Sequence, residues 1–376
     1  MNNIGNNNLN NGRKMPFINA PFMNTPFMNT PFINLKFINI SIIIIIASFF
    51  LSAVDVFINF ASAMDFDTYS KRHKYLSFLG QSIPSNNITA LFADNEDERS
   101  IFIGTDRGLS KYNGKIFRTY GKDAGHYRNS PAGENINCVL PTSSEIWIAT
   151  DSGLSRYNKV LSQWTYFEQG DDNTTIPTNY IQCLYFMDPF LYVGTWGCGV
   201  CIYNVKINKW KHYTAKSGLE GKYVSAIAYD NIKGQLWFAT YDDGLYLFQD
   251  ERFMGINAKT SELVSNKINC LAASGGKLYI GTPEGLSIYD GSKFISYTKE
   301  KGLNSNVILS IKVDKFDIYL GTDAGLYKIY NDTLTYYPIK NSLSKGRPVR
   351  ISCIETIKNK LYLGTQHHGL IEVNKK

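Results

Sequence analysis

The sequence has 376 residues, of which 44% are hydrophobic, 14% aromatic and only 19% charged. These proportions exclude a disordered chain and a small disulfide-stapled domain, because they provide enough apolar side chains for a sizeable core. The net charge of +7 is spread along the chain without a run of Lys and Arg, which argues against nucleic acid as a partner.

The first 36 residues are predicted to form a low-complexity arm. A five-residue unit of Pro, Phe, Ile or Met, Asn and one variable residue repeats from Pro16 to Leu35. Proline at every fifth position interrupts both a helix and the hydrogen bonds of a sheet. We interpret residues 1–36 as a short duplicated tract that belongs to no folded domain.

Residues 37–63 are predicted to form one hydrophobic helix that serves as a signal peptide or a signal anchor. No charge occurs between Phe37 and Val54, a length that can cross a bilayer, and Ala61-Ser62-Ala63 has the form that signal peptidase accepts. The preceding leader is long for a signal peptide, and translation from Met23 or Met28 would shorten it. In each case the rest of the chain is expected to be exported, to the periplasm or the extracellular face, and an uncleaved segment would anchor it to the inner membrane.

One sequence block recurs seven times after residue 64. It consists of a hydrophobic, an aromatic and a second hydrophobic residue, then Gly or Ala, then Thr, and a glycine follows three or four positions after the threonine. The β-branched and aromatic residues predict a buried strand, and the glycine predicts a tight turn into a second strand. The block threonines, spaced 40–45 residues apart, are Thr105, Thr150, Thr195, Thr240, Thr282, Thr322 and Thr365.

The period of these blocks predicts an all-β fold. Each repeat supplies an inner strand, the block, a strand after the glycine and a more polar outer strand, and four strands at this period are typical of a β-propeller. We therefore predict a seven-bladed β-propeller of four-stranded antiparallel blades over residues 65–376. The last repeat stops at Val373 after three strands, and Tyr75–Phe78 aligns with the outer strands of other repeats. We expect this N-terminal segment to complete the seventh blade and close the ring.

The six cysteines predict neither a cofactor nor a metal site. Four of them replace Ala or Ser at one position of the inner strand, where cysteine serves as a small hydrophobic residue, and such positions on separate blades are too far apart for a disulfide. Cys198 and Cys201 have the spacing of a redox pair but lie on a predicted hairpin instead of a helix N-terminus. The four equivalent cysteines are Cys138, Cys183, Cys270 and Cys353.

The repeat, written [Ile/Leu]-aromatic-[Ile/Leu/Val]-[Gly/Ala]-Thr-x-x-Gly-Leu-x-x-[Tyr/Phe], resembles the two-component regulator propeller repeat. The resemblance extends over residues 75–376. Propellers of this family form the periplasmic sensor halves of bacterial hybrid histidine kinases, often in carbohydrate uptake systems. The resemblance implies a sensor module that binds a small molecule or an oligosaccharide, or an envelope partner such as a separate kinase or transporter.

A ligand site is expected on one face of the ring. The residues just before the inner strands and the turns after the blocks emerge together on that face, around the mouth of the channel, and three of these turns are longer than the other four. Aromatic side chains beside carboxylates are suited to sugar rings, because the rings stack and the hydroxyl groups form hydrogen bonds. The predicted ligand-binding residues are Arg107, Tyr180, Trp196, Tyr223, Tyr241, Asp242, Lys267, Arg350 and His367.

We predict a recognition module without catalytic residues that binds a ligand or docks a partner protein. The alternative is a lyase or glycan-cleaving enzyme at the channel mouth, for which His367, His368 and Asp242 are the candidate acid and base residues. A sensor separated from its kinase is a third interpretation. The acidic turn from Asp94 to Glu98 is interpreted as a solvated turn on the opposite face, with calcium binding as the alternative.

Overall fold

The computed structural model describes residues 83–120, 130–170, 174–337, 339 and 348–375, together with the backbone of Lys74–Tyr75. The predicted arm and the predicted signal segment lie outside these residues. Within the described part, the structure contains no helix with the length and hydropathy that a bilayer crossing requires.

The described strands form seven four-stranded antiparallel sheets, and no α-helix occurs among the described residues. The predicted seven-bladed β-propeller is thereby confirmed. The first strand, β1 (Lys74–Tyr75), belongs to blade 7. Each of the other six blades is built of four strands that are consecutive in the chain. Blade 1 contains β2 (Ile88–Ala93), β3 (Ile101–Thr105), β4 (Gly108–Tyr112) and β5 (Phe117–Tyr120). Blade 2 contains β6 (Ile136–Pro141), β7 (Glu145–Thr150), β8 (Gly153–Asn158) and β9 (Gln163–Phe167).

The next four blades repeat the same order of strands. Blade 3 contains β10 (Ile181–Met187), β11 (Phe190–Thr195), β12 (Val200–Asn204) and β13 (Lys209–Tyr213). Blade 4 contains β14 (Val224–Asp230), β15 (Gln235–Thr240), β16 (Leu245–Gln249) and β17 (Arg252–Ile256). Blade 5 contains β18 (Cys270–Ser274), β19 (Lys277–Thr282), β20 (Gly285–Tyr289) and β21 (Phe294–Tyr297). Blade 6 contains β22 (Ile308–Asp314), β23 (Asp317–Thr322), β24 (Gly325–Tyr330) and β25 (Thr333–Tyr337).

Blade 7 takes three strands from the C-terminus: β26 (Ile351–Ile357), β27 (Lys360–Thr365) and β28 (Leu370–Asn374). β1 lies antiparallel to β28, with Lys74 opposite Glu372 and Tyr75 opposite Ile371. The other residues of the predicted closing strand, 76–78, lie outside the described part, so closure by a complete N-terminal strand stays a prediction. Two single-turn 3₁₀-helices follow outer strands: η1 (Ala215–Ser217) in blade 3 and η2 (Lys299–Lys301) in blade 5.

The inner strands surround the channel and all run in the same direction. At several places in the ring, a side chain at or just before the start of one inner strand donates a hydrogen bond to the carbonyl group of the first residue of the next. Asn137 Nδ2 does so to Ile181 at 2.8 Å, and Asn269 Nδ2, just before β18, to Ile308 at 2.8 Å. Ser352 Oγ donates in the same way to the carbonyl group of Ile88, which joins blade 7 to blade 1. We call the end of the ring where inner strands begin the upper face, and the other end the lower face. Because the strands of a blade alternate in direction, the turns after the blocks also lie on the upper face.

The core lies between neighbouring blades, and the block strands are its most buried part. All five residues of β3 are buried, as are the last five of β11. A side chain added at Gly194 would place its Cβ 2.4 Å from Cys183 Sγ and 2.7 Å from Val224 Cγ1. The block therefore requires a small residue opposite a small residue of the inner strand. All six cysteines are free thiols, and burial raises the pKa of Cys138 to about 11 and of Cys353 to about 12.

Candidate functional site

The block threonine holds each upper-face turn in place. Thr195 Oγ1 donates to the carbonyl group of Gly199 at 2.8 Å and accepts a hydrogen bond from the Cys198 amide at 3.2 Å. These bonds join the threonine hydroxyl group to backbone groups of the turn. The side chains at the tip of the turn take no part in them and can therefore vary from blade to blade. The donor bond recurs in every blade, from Thr105, Thr150, Thr195, Thr240, Thr282, Thr322 and Thr365.

Three aromatic rings are in contact at the upper face of blades 3 and 4, and a fourth aromatic residue, Tyr180, adjoins them through the backbone. The ring centroid of Trp196 is 5.1 Å from that of Tyr223 and 5.7 Å from that of Tyr241. The Trp196 amide donates to the carbonyl group of Tyr180 at 2.9 Å. We call Tyr180, Trp196, Tyr223 and Tyr241 the aromatic arc, whose members are 57%, 38%, 39% and 37% exposed, respectively. The structure thus brings together four of the nine predicted ligand-binding residues.

No other blade carries an aromatic residue at the two positions that form the arc. Polar, charged or small apolar residues stand there, so the arc is a departure from the repeat and not a demand of the fold. The corresponding residues before the inner strands are Asn87, Asn135, Lys267, Val307 and Arg350, and those after the blocks are Asp106, Asp151, Pro283, Asp323 and Gln366.

Asp242 lies beside the arc, but its carboxylate accepts hydrogen bonds from backbone amides. Its two oxygens accept hydrogen bonds from the amides of Lys222 at 3.0 Å and Tyr223 at 3.4 Å. The neighbouring Asp243 accepts a hydrogen bond from the Tyr246 hydroxyl group. Asp242 therefore positions Tyr223 within the arc, a role that the sequence prediction of a ligand contact did not include.

Of the other four predicted residues, Lys267 stands beside the blade 4 turn that carries Tyr241, because the amide of Ile268 donates to the carbonyl group of Thr240 at 3.0 Å, and the other three lie further from the arc. Lys267 stands on blade 5, while Arg350 and His367 stand on blade 7, and all three are exposed. Arg107, also exposed, lines a polar cavity of about 450 Å³ between blades 1 and 2. Among the described residues, no hydrogen bond, ion pair or ring contact joins the side chains of Arg107, Arg350 or His367 to the aromatic arc.

The candidate acid and base residues are likewise divided. His367 and His368 belong to the blade 7 turn and Asp242 to the blade 4 turn, and no contact among the described residues connects them. Burial, together with the adjacent His367, lowers the pKa of His368 and favours its neutral form. Clusters of three or more potential metal ligands are absent from the described part of the chain.

A cavity of about 340 Å³ adjoins the arc between blades 3 and 4. Its lining is mainly apolar and includes Pro177, Cys198, His212, Leu219 and Lys222. His212 Nε2 forms a hydrogen bond of 2.8 Å with the carbonyl group of Thr175. Most of these residues lie in loops that lead from an outer strand to the next inner strand, where the repeat is weakest. Sequence comparison between repeats therefore missed them.

No family model matches the sequence, and no curated protein matches it. Among solved structures, the extracellular domain of a hybrid two-component system from B. thetaiotaomicron is 20% identical with a TM-score of 0.69, over 81% of this chain and 42% of that one. A second such domain from B. thetaiotaomicron is 22% identical with a TM-score of 0.64, over 80% of this chain and 39% of that one. The chain thus spans about two-fifths of these relatives.

A different class of propeller is also similar. Catalytically inactive virginiamycin B lyase from Staphylococcus aureus, solved with quinupristin, is 12% identical with a TM-score of 0.59, over 81% of this chain and 99% of that one. At these identities the likeness concerns the fold. The resemblance that the repeats predicted is confirmed at that level: extracellular domains of hybrid two-component systems share the propeller fold of this chain.

Proposed function

We propose that the protein is an exported recognition module of the sensor type, without catalytic activity, that binds its ligand at the aromatic arc. The observation that carries this proposal is the contact of Trp196 with Tyr223 and Tyr241 at an exposed surface where the other blades lack aromatic residues. An oligosaccharide fits best, because exposed aromatic rings stack on the apolar faces of sugars. The shared fold with extracellular sensor domains and the predicted signal segment support export to the periplasm or the extracellular face.

Three finer proposals accompany this function. The segment 37–63 is proposed to be a signal peptide or a membrane anchor. The N-terminal strand is proposed to complete blade 7. A separate kinase or transporter of the envelope is the proposed partner, and docking of such a protein at the upper face is the alternative to binding a sugar.

The test is a glycan array with the purified protein, followed by titration of a bound glycan. Trp196→Ala is expected to weaken binding at least tenfold, because removal of a central aromatic contact commonly costs more than about 1.4 kcal/mol. Phe316→Ala is the matched control, since Phe316 is 83% exposed on a lower-face turn. Equal affinities of the two variants would contradict the site. An array and an envelope pull-down that both find nothing would contradict the function.

The enzymatic alternative has one supporting observation, the likeness in fold to virginiamycin B lyase. It requires the histidines of blade 7 to act on a ligand at the channel mouth. Incubation with each glycan that binds, followed by mass spectrometry of the products, tests it directly. Products that disappear in His367→Ala would establish an enzyme, whereas intact glycan agrees with a recognition module.

A further inference from the structure

A loop of the same shape leads out of blade 3 and out of blade 5. Each loop contains a single-turn 3₁₀-helix, η1 directly after Thr214 and η2 directly after Thr298. The carbonyl group of each threonine accepts a hydrogen bond, from the Leu219 amide at 3.3 Å in blade 3 and from the Leu303 amide at 3.1 Å in blade 5. Because the two loops share this frame, each residue of one has a counterpart in the other.

The first amide of the 3₁₀-helix has an acceptor in blade 5 but not in blade 3. The Lys299 amide donates to Asn306 Oδ1 at 2.6 Å. Its counterpart in blade 3 is the Ala215 amide, for which the described part of the chain supplies no acceptor. The reason lies in the sequence, because Lys222 stands where the other loop has Asn306.

The loops that lead out of blades 2 and 4 also place an asparagine side chain on this amide. Asn179 Oδ1 accepts from the Gln169 amide at 2.7 Å, and Asn266 Oδ1 accepts from the Ala258 amide at 2.6 Å. Asn179, Lys222 and Asn266 occupy one backbone position, because the carbonyl group of each accepts a hydrogen bond from the glycine that follows a block turn. The end of an asparagine side chain is an acetamide group. Three loops therefore hold an acetamide on this amide, and the loop beside the aromatic arc lacks it.

The cavity of about 340 Å³ between blades 3 and 4 adjoins this amide, and Ala215, Gly197 and Lys222 all contribute to its lining. Gly197 follows Trp196 in the sequence, and Lys222 precedes Tyr223. The Gly197 amide donates to the Lys222 carbonyl group at 3.0 Å, which holds the two segments together. The cavity therefore begins one residue away from two rings of the aromatic arc.

The lining suits a small uncharged group that is partly apolar and forms hydrogen bonds. Pro177 and Leu219 supply apolar surface. The Ala215 amide and Lys222 are donors, and Glu220 is an acceptor whose charge balances that of Lys222 and would repel a carboxylate. An acetamide group offers a methyl group, a carbonyl oxygen and an N–H group, one for each of these three kinds of lining.

We propose that the ligand is a sugar that carries an N-acetyl group, an inference that rests on the proposed function of the aromatic arc. One ring of the sugar stacks on the arc, and its acetamido group enters the adjoining cavity. There the carbonyl oxygen accepts a hydrogen bond from the Ala215 amide. The ligand thereby supplies the group that Asn179, Asn266 and Asn306 supply in the other loops.

The experiment follows the Ala215 amide by NMR in the full chain labelled with ¹⁵N-alanine, where Ala215→Gly identifies the resonance by its loss. The probes are N-acetylglucosamine and N-acetylgalactosamine, each compared with its parent sugar, glucose or galactose. At least one acetylated sugar is expected to shift the Ala215 resonance, whereas the parent sugars should leave it unchanged. That acetylated sugar should also bind about tenfold more tightly than its parent, because it adds a hydrogen bond and a buried methyl group.

Two variants of Lys222 test whether the cavity takes an acetamide. Lys222→Asn restores the residue of the other loops, so its own side chain should occupy the Ala215 amide and abolish the preference for the acetylated sugar. Lys222→Ala is the matched control, since it removes the lysine without adding an acetamide. Its preference is expected to stay within about threefold of wild type, because the Ala215 amide stays available.

An Ala215 resonance that neither acetylated sugar shifts, or that the parent sugars shift equally, overturns the proposal. A full preference for the acetylated sugar in Lys222→Asn also overturns it. Trp196→Ala separates this proposal from the ligand site, because it should weaken the acetylated and the parent sugar alike. Binding of the acetylated sugar that shifts Ala215 but does not depend on Trp196 would contradict the arc and leave the acetamide cavity. Binding that depends on Trp196 without a preference for the acetylated sugar would do the reverse.

Discussion

The threonine that ends each block forms hydrogen bonds with backbone groups of the turn that follows it. The turn that follows it would otherwise leave one carbonyl group and one amide without partners at a buried strand end. Thr195 serves both groups, by donating to the Gly199 carbonyl and accepting from the Cys198 amide. The sequence shows this residue as a repeat, and its two hydrogen bonds give the physical reason for the repetition.

Thr195→Val is expected to lower the free energy of unfolding by about 1–3 kcal/mol, because the shape is kept while a buried donor and acceptor are lost. Denaturant unfolding followed by circular dichroism measures the change. Thr335→Val, at an exposed position of β25, is the control and should lie within about 0.5 kcal/mol of wild type. Equal stability of the two variants would show that the turn does not depend on this hydroxyl group.

The turn between β2 and β3 connects two blades on the lower face. Asp94 is only 4% exposed, and its carboxylate lies 2.5 Å from Lys111 Nζ and 3.5 Å from Lys159 Nζ of blade 2. Asn95 Nδ2 donates to the carbonyl group of Pro141 at 3.1 Å. The interpretation as a solvated turn is therefore wrong for Asp94, whose sequence context gives no sign that blade 2 covers it.

The stability of the protein should decrease in acid partly through Asp94. Burial alone would raise the pKa of the Asp94 carboxyl group. The hydrogen bonds from Lys111 and the Glu96 amide and the positive charges of Lys111 and Lys159 outweigh burial, so the pKa lies below the usual value of 3.8. The carboxylate thus stabilises the fold above the pKa of the unfolded chain, and this contribution is lost as the pH falls through the lower folded value.

Asp94→Asn is expected to reduce the free energy of unfolding by about 1–3 kcal/mol at pH 7, and the difference from wild type should shrink below about pH 4. Denaturant unfolding at a series of pH values measures it. Asp188→Asn removes an exposed ion pair with Lys206 and should change stability by less than about 1 kcal/mol. A difference from wild type that does not vary with pH would contradict the role of this carboxylate.

At the scale of the whole molecule, the ring is joined at blade 7 by two kinds of contact. The inner strands connect through Ser352 and Ile88, and the outer edge of β28 pairs with Lys74 and Tyr75. The first contact comes from residues 264 positions apart, so ring closure depends on the complete set of blades.

Removal of residues 1–80 should lower the melting temperature by about 5 °C or more relative to removal of residues 1–64, because it leaves the edge of β28 open. Differential scanning calorimetry measures the shift, and light scattering should show more aggregation of the shorter form. Identical melting of the two forms would mean that the N-terminal strand does not complete blade 7.

The sequence by itself determined the number of blades, the four strands of each and the face on which the variable turns emerge. These features depend on local patterns that recur at a fixed period, and a period is visible without coordinates. The same comparison identified Tyr180, Trp196, Tyr223 and Tyr241 as unusual positions, although not as neighbours in contact.

Only the tertiary structure decided which unusual residues meet. Trp196 reaches the rings of two tyrosines of the next blade, while Arg107, Arg350 and His367 stand elsewhere on the rim. The tertiary structure also shows that the Asp242 carboxylate accepts hydrogen bonds from the amides of Lys222 and Tyr223. Contacts of this kind depend on loop paths and side-chain directions between blades. These follow no sequence period, because each is set by packing against residues that are distant in the chain.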